Sequence, residues 1–106
     1  MRITHIDAME KVSTSHRADL MKYVYVNASQ TKHGHLIRFE NRPLGKDEIL
    51  TVSPQQGELY YLFVSHGTYE CNHEALNQFD FVSTEEPIDL RCKEPGDIHI
   101  LVWQNN

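Results

Sequence analysis

The chain has little of what several protein classes require. Only two of its 106 residues are cysteine, and Cys71 and Cys92 stand far apart without a Cys-x-x-Cys pair. The sequence therefore predicts neither a disulfide framework nor a zinc knuckle nor a thioredoxin-like motif. The longest clean apolar run has six residues, at positions 59–64, whereas a membrane-spanning helix needs about 20. No membrane partner is expected.

An excess of positive charge is also lacking. Lysine and arginine number 10 against 15 aspartate and glutamate residues, which gives a formal charge of −5. Because an acidic surface repels the phosphate backbone, no nucleic-acid partner is expected. The first residues contain an acid, Asp7, and no apolar segment of the length that a secretory signal needs. The expected location is therefore cytoplasmic.

Short apolar segments separated by turn residues make up most of the chain. Hydrophobic residues are 40% and charged residues 24% of the total, the balance of an ordinary globular protein. The length predicts one domain spanning residues 1–106, with residues 1–20 partly irregular. Strands are predicted at residues 23–26, 35–39, 48–52, 58–64, 68–72, 79–82, 88–92 and 98–103. This many short strands predicts an all-β protein, either two packed sheets or a closed barrel.

The strand at residues 58–64 is apolar on both faces. One face can line the interior of the barrel or sandwich, and the other needs a cover. A homodimer with a two-fold axis is therefore predicted, with Phe63 and Trp103 as contributors to the interface.

The spacing of one segment resembles the first motif of the small single-domain cupins, a β-jelly-roll family. That motif has a glycine, five residues, His-x-His, three or four residues, a glutamate, six residues and a second glycine. Here Gly45 is followed by five residues, residues 51–53 occupy the His-x-His positions, Glu58 follows after four more, and Ser65 after a further six. The resemblance covers residues 34–103 and implies an antiparallel jelly-roll barrel or sandwich.

The histidines that hold the family's metal are missing at these positions. Thr51 and Ser53 stand in the His-x-His positions, and no histidine occurs near Leu90, where the second motif of the family ends. Neutral hydroxyls are weak ligands for Fe, Mn, Ni or Zn, and one carboxylate cannot hold such an ion alone. The sequence therefore predicts no metal and no other cofactor.

Relocated ligands remain an alternative, because the chain has seven histidines. His33 and His35 followed by Glu40 imitate the family spacing, although Glu40 has the opposite strand parity to His35. His66 and His99 are further candidates if they point into the barrel. In each case a hydrogen-bonded or solvated histidine is the alternative interpretation.

Strand alternation outlines a candidate pocket. If Glu58 faces the interior, Tyr60 does too, and Thr51 and Ser53 are expected to share the interior face of the preceding strand. Thr51, Ser53, Glu58 and Tyr60 would then bind a small polar organic ligand. The favoured function is a metal-free cupin-like protein that binds a small molecule or acts as a sensor or interaction module.

The alternative function is a small cupin-type enzyme of the isomerase or dioxygenase class. It would use either relocated metal ligands or Glu58 as an acid–base group, since burial raises the pKa of a carboxyl group. A purely structural dimer is the third possibility. The sequence identifies no catalytic residue.

Overall fold

The computed structural model describes residues 1–4 and 35–104, and these residues form strands and no helix. No helix in this part of the chain is long and apolar enough to cross a membrane. The strand predicted at residues 23–26 lies outside the described residues. The nine strands within them are β1 (Arg2–Thr4), β2 (His35–Leu44), β3 (Ile49–Val52), β4 (Glu58–Val64), β5 (Thr68–Cys71), β6 (Glu74–Leu76), β7 (Phe81–Thr84), β8 (Ile88–Glu94) and β9 (Gly96–Gln104).

The strands form two antiparallel sheets, which confirms the all-β prediction. One sheet has the order β1-β7-β4-β9-β2 and the other the order β3-β8-β5-β6. Within the described residues no strand pairing joins one sheet to the other, so of the two predicted arrangements the packed sheets are present and the closed barrel is not. Strands β2 and β3 follow each other in sequence but lie at the edges of different sheets.

The main core lies between the sheets. Side chains alternate across each strand, so every second residue of β4, β8 and β9 points into this space. Leu62, Leu90 and Val102 are 0% exposed. The larger members of this cluster are Leu44, Leu50, Leu62, Tyr69, Leu76, Ile88, Leu90, Ile98 and Ile100. Burial of this apolar area is the main force that holds the two sheets together.

The opposite face of the larger sheet carries a second apolar cluster. Phe63 is 0% and Trp103 is 5% exposed, and Phe63 packs against Phe81 with 5.1 Å between ring centroids. The cluster consists of Leu59, Tyr61, Phe63, Phe79, Phe81, Leu101 and Trp103. The prediction that β4 is apolar on both faces is therefore confirmed, but both faces are buried within one chain.

Strand β2 extends further than the sequence predicts. The dipeptide Pro43-Leu44 before Gly45 suggests a turn at residues 41–45, yet β2 continues to Leu44 and the turn follows at residues 45–48. Proline lacks an N–H donor but fits an edge strand, because one side of that strand needs no donor. β2 is such an edge. The extension matters because it adds Glu40 and Arg42 to the strand that already carries Arg38.

Three turns share one hydrogen-bonding pattern. Each turn has four residues and ends in an acidic residue. The backbone N–H of this acidic residue donates to the carbonyl oxygen of the first residue of the turn. Its side-chain carboxylate accepts a hydrogen bond from the backbone N–H of the same first residue. The residue before the acid has positive φ, between 68° and 83°. The acids are Glu48, Glu58 and Asp80, and the amides are those of Gly45, Gln55 and Asn77, each at 2.8 Å from a carboxylate oxygen. These carboxylates close turns.

Candidate functional site

A cleft opens between β2 and β3, the two edge strands on one side of the sandwich. Its volume is about 290 Å³, just below the range of small-molecule sites, which is roughly 300 to 1,000 Å³. Both sheets contribute residues to its walls. The cleft is therefore the place where the space between the sheets is accessible from the side.

Charged residues line the β2 side of the cleft. Arg38, Glu40 and Arg42 are cross-strand partners of Val102, Ile100 and Ile98 on β9. Directly paired residues of neighbouring strands share a face, and these β9 residues belong to the main core. Strand alternation thus places the three charged side chains on the inner face of β2. They keep contact with water because β2 is an edge, and 36% to 52% of each side chain is exposed.

The three charges and Tyr60 form one connected group. The Glu40 carboxylate lies 3.2 Å from Nη1 of Arg42 and 3.7 Å from Nε of Arg38. Nη2 of Arg38 donates to the Tyr60 hydroxyl at 2.6 Å, and the guanidinium carbon of Arg38 lies 5.5 Å from the centre of the Tyr60 ring. Two guanidinium groups against one carboxylate leave a net charge of +1. In a chain of net charge −5, this group is a local excess of positive charge.

Apolar side chains form the floor of the cleft. Leu50, Val52 and Ile100 line it and are 6%, 3% and 4% exposed. The cleft therefore combines a positively charged wall with an apolar floor. This combination is typical of sites for small organic molecules, where apolar contacts supply affinity and a few polar groups fix orientation.

Thr51 and Ser53 lie at this cleft, but Thr51 does not face the interior. On β3 the buried residues are Leu50 and Val52, whereas Ile49 and Thr51 are exposed. The interior face expected for this strand is therefore reversed. The Thr51 hydroxyl donates to Oδ1 of Asp89 at 2.8 Å. Thr51 and Ser53, which is also exposed, line the cleft along the edge of β3.

The structure brings Tyr60 together with Thr51 and Ser53 but places Glu58 elsewhere. Tyr60 packs against the main core, as strand alternation predicts. Glu58 closes the turn at residues 55–58 and lines a separate shallow depression with residues 54–57 and Glu85. The carboxylate of the cleft is that of Glu40. Its signal in the sequence is the alternation of residues 38, 40 and 42, which puts three charges on one strand face.

The described part of the chain does not bring metal ligands together. Across residues 1–4 and 35–104, no three histidine, cysteine, aspartate or glutamate side chains form a group that could hold a metal ion. His33 lies outside the described residues. His66 is exposed, with its Nδ1 3.4 Å from Nε2 of Gln78. His99 is buried and stacks between Phe39 and Phe63, with centroid distances of 6.0 and 6.3 Å.

Both cysteines are buried thiols. Cys71 and Cys92 are 0% exposed and unpaired with each other. Burial raises the pKa of both thiols, and for Cys92 the carboxylate of Glu48 adds to this effect. A thiol must lose its proton to act as a nucleophile. These two therefore contribute to packing in the neutral form.

The buried thiols predict a loss of stability at alkaline pH. In the unfolded chain a thiol ionises with a pKa near 8.5, whereas in the folded chain it keeps its proton to higher pH. The unfolded state then binds fewer protons, so the free energy of unfolding falls as pH rises above about 8.5, by at most about 1.4 kcal/mol per pH unit for each thiol. Urea unfolding between pH 7 and 10 measures this decline.

The variants Cys71→Ala and Cys92→Ala test whether the two thiols cause the loss of stability at alkaline pH. Each is expected to unfold more easily at every pH, because a buried sulfur is lost. Their decline with pH should nevertheless be shallower than that of the parent chain. Equal slopes in all three proteins would show that other groups cause the alkaline effect.

Comparison with known proteins finds no matching family model, no matching curated protein and no matching solved structure.

Proposed function

We propose that the sandwich is a jelly roll of the cupin-like kind. The strand pairings support this, because they are those of one long hairpin that has been rolled up. β2 pairs with β9, β3 with β8, β4 with β7, and β5 with β6. Each strand of the first half thus pairs with its counterpart in the second half, and the resulting two antiparallel sheets match the double-sheet jelly roll.

We further propose that the chain binds a small polar organic molecule in the cleft between β2 and β3, without a transition metal. The observation that carries this proposal is the inner face of β2. Arg38, Glu40 and Arg42 occupy positions whose partners on β9 are isoleucine and valine of the core. Three charged residues on a core-facing surface do not help the sheets to pack. They are suited to a ligand that enters from the side.

Binding is tested by a screen of small polar molecules followed by amide NMR spectra of the chain. We expect the amides of residues 38–42 and 50–53 to shift on addition of a ligand. The variant Ser53→Trp places a large side chain at the exposed rim of the cleft and is expected to abolish binding. Ser53 is exposed, so the replacement leaves the core intact.

The variant Gln56→Trp is the matched control. Gln56 is exposed and belongs to the depression around Glu58 rather than to the cleft. It should bind the ligand as the parent chain does, and both tryptophan variants should unfold at the parent's temperature. Ligand shifts centred on residues 54–58 and 85, with unchanged binding in Ser53→Trp, would place the site at that depression and contradict the proposal.

A further inference from the structure

The chemical class of the ligand follows from the position of the Glu40 carboxylate. This carboxylate lies between two guanidinium groups, and its two oxygens face different arginines. It shows that Arg38 and Arg42 can reach a single carboxylate from opposite sides. The space between them therefore has the size and the charge for a carboxylate group.

Glu40 fills this space poorly. Its contact with Arg42 is a single hydrogen bond of 3.2 Å, and its contact with Arg38 Nε, at 3.7 Å, exceeds hydrogen-bond length. Neither pair has the parallel two-bond geometry that makes arginine–carboxylate contacts strong. The cause is the short tether, because Glu40 is attached to the same strand two residues from each arginine. A carboxylate that is free of the strand can adopt the better geometry.

We propose that the cleft recognises the carboxylate of a small organic acid, which replaces the Glu40 carboxylate between Arg38 and Arg42. This inference rests on the proposed function and names its ligand class. The net charge of +1 on the three side chains is matched by one negative charge. Glu40, with 36% of its side chain exposed, can turn into water when the ligand enters.

The rest of the cleft specifies the body of the ligand. Leu50, Val52 and Ile100 form an apolar floor beside the two arginines. Tyr60 accepts the hydrogen bond from Arg38 at 2.6 Å and so holds that guanidinium at the edge of the floor. The occupant is therefore an amphipathic acid, with its carboxylate on the arginines and an apolar group on the floor.

Benzoate and benzamide are the probes, because they share a shape and differ in charge. Amide NMR titrations of the full chain measure the dissociation constant of each at the cleft, from the shifts of residues 38–42 and 50–53. We expect benzoate to bind about tenfold more tightly than benzamide, since hydrogen bonds to a charged acceptor are about twice as strong as neutral ones.

Three variants distinguish the local effect from a general effect of charge. Arg42→Gln should weaken benzoate binding about tenfold, whereas Glu40→Gln should strengthen it. Arg91→Gln is the matched control: Arg91 is 53% exposed against 52% for Arg42, and it pairs with Asp47 at 3.3 Å outside the cleft. This control should bind benzoate as the parent chain does.

Four outcomes overturn the inference. If benzamide binds at the cleft as tightly as benzoate, the carboxylate class is wrong while the proposed binding function stands. If benzoate shifts no amide of the cleft, the inference fails, and the screen of polar molecules then decides the proposed function separately. Tighter binding of inorganic phosphate than of benzoate would assign a different anion. If Arg91→Gln and Arg42→Gln weaken benzoate binding equally, the net charge of the chain, and not the position of Arg42 in the cleft, determines the affinity.

Discussion

Replacing Gly96 with alanine is expected to lower the free energy of unfolding by about 3 kcal/mol or more, among the largest effects of single substitutions. A Cβ atom at Gly96 would overlap the backbone carbonyl group of His66 and lie 2.6 Å from the backbone nitrogen of Gly67. These backbone atoms cannot move away easily, because two hydrogen bonds hold this segment in place. The N–H of Asp97 donates to the carbonyl oxygen of His66 at 3.1 Å, and the N–H of His66 donates to the carbonyl oxygen of Asp97 at 3.3 Å.

Gly45→Ala is the matched control. A Cβ atom there comes closest to a carboxylate oxygen of Glu48, at 2.8 Å, at the far end of a flexible side chain. The expected change is only about 1 kcal/mol, because that side chain can move aside at the cost of the one hydrogen bond that it accepts from the Gly45 N–H. Guanidinium unfolding of both variants measures the difference. Similar losses of stability in the two variants would show that the close contact of Gly96 with the backbone of His66 and Gly67 is not tightly constrained.

The sequence predicts the central strand of the fold well and the ends of the edge strands poorly. Strand β4 spans residues Glu58–Val64 as predicted, because a run of aliphatic and aromatic residues between turn residues has one favourable structure. The turn predicted at residues 41–45 is wrong because the sequence does not reveal that Pro43 lies on the outermost described strand of its sheet. At an edge, proline is compatible with a strand.

The face of β3 could not be decided from its own residues. Ile49, Leu50 and Val52 are all apolar, so both possible faces of this strand contain an apolar residue. A shift of one residue reverses every side chain. The pocket outlined by strand alternation has Thr51 inside, whereas in the folded chain Leu50 and Val52 are buried and Ile49 is 60% exposed. The choice is made by packing against the other sheet.

The position of Glu58 was ambiguous for a different reason. A carboxylate that follows a glycine and begins a strand is equally suited to a pocket and to a turn. The repetition of the pattern provides the distinguishing signal: residues 45–48, 55–58 and 77–80 each end in an acid that closes a turn onto the residue three positions earlier. Three instances of one local motif indicate a structural role.

The expectation of a homodimer rests on an outward apolar face that includes Phe63 and Trp103. Because these side chains are 0% and 5% exposed within a single chain, they do not form an open surface for a second copy. Among the described strand residues of the same sheet, the exposed large apolar side chains are Ile37 and Phe39 on β2, at 46% and 47%. Phe63 is therefore expected to affect folding rather than assembly.

Phe63→Ala is expected to lower the free energy of unfolding by about 3 to 5 kcal/mol, the usual loss when a buried phenylalanine is truncated. Phe63 packs against Phe81, Phe79 and His99, with ring centroids 5.1, 6.1 and 6.3 Å away, so truncation leaves a cavity among aromatic rings. Phe39→Ala, at the exposed edge, should change stability by less than about 1 kcal/mol. Urea unfolding gives both values, and light scattering of the folded variants reports their mass. Near-parental stability of Phe63→Ala together with a lower mass would instead place Phe63 in an interface between two chains.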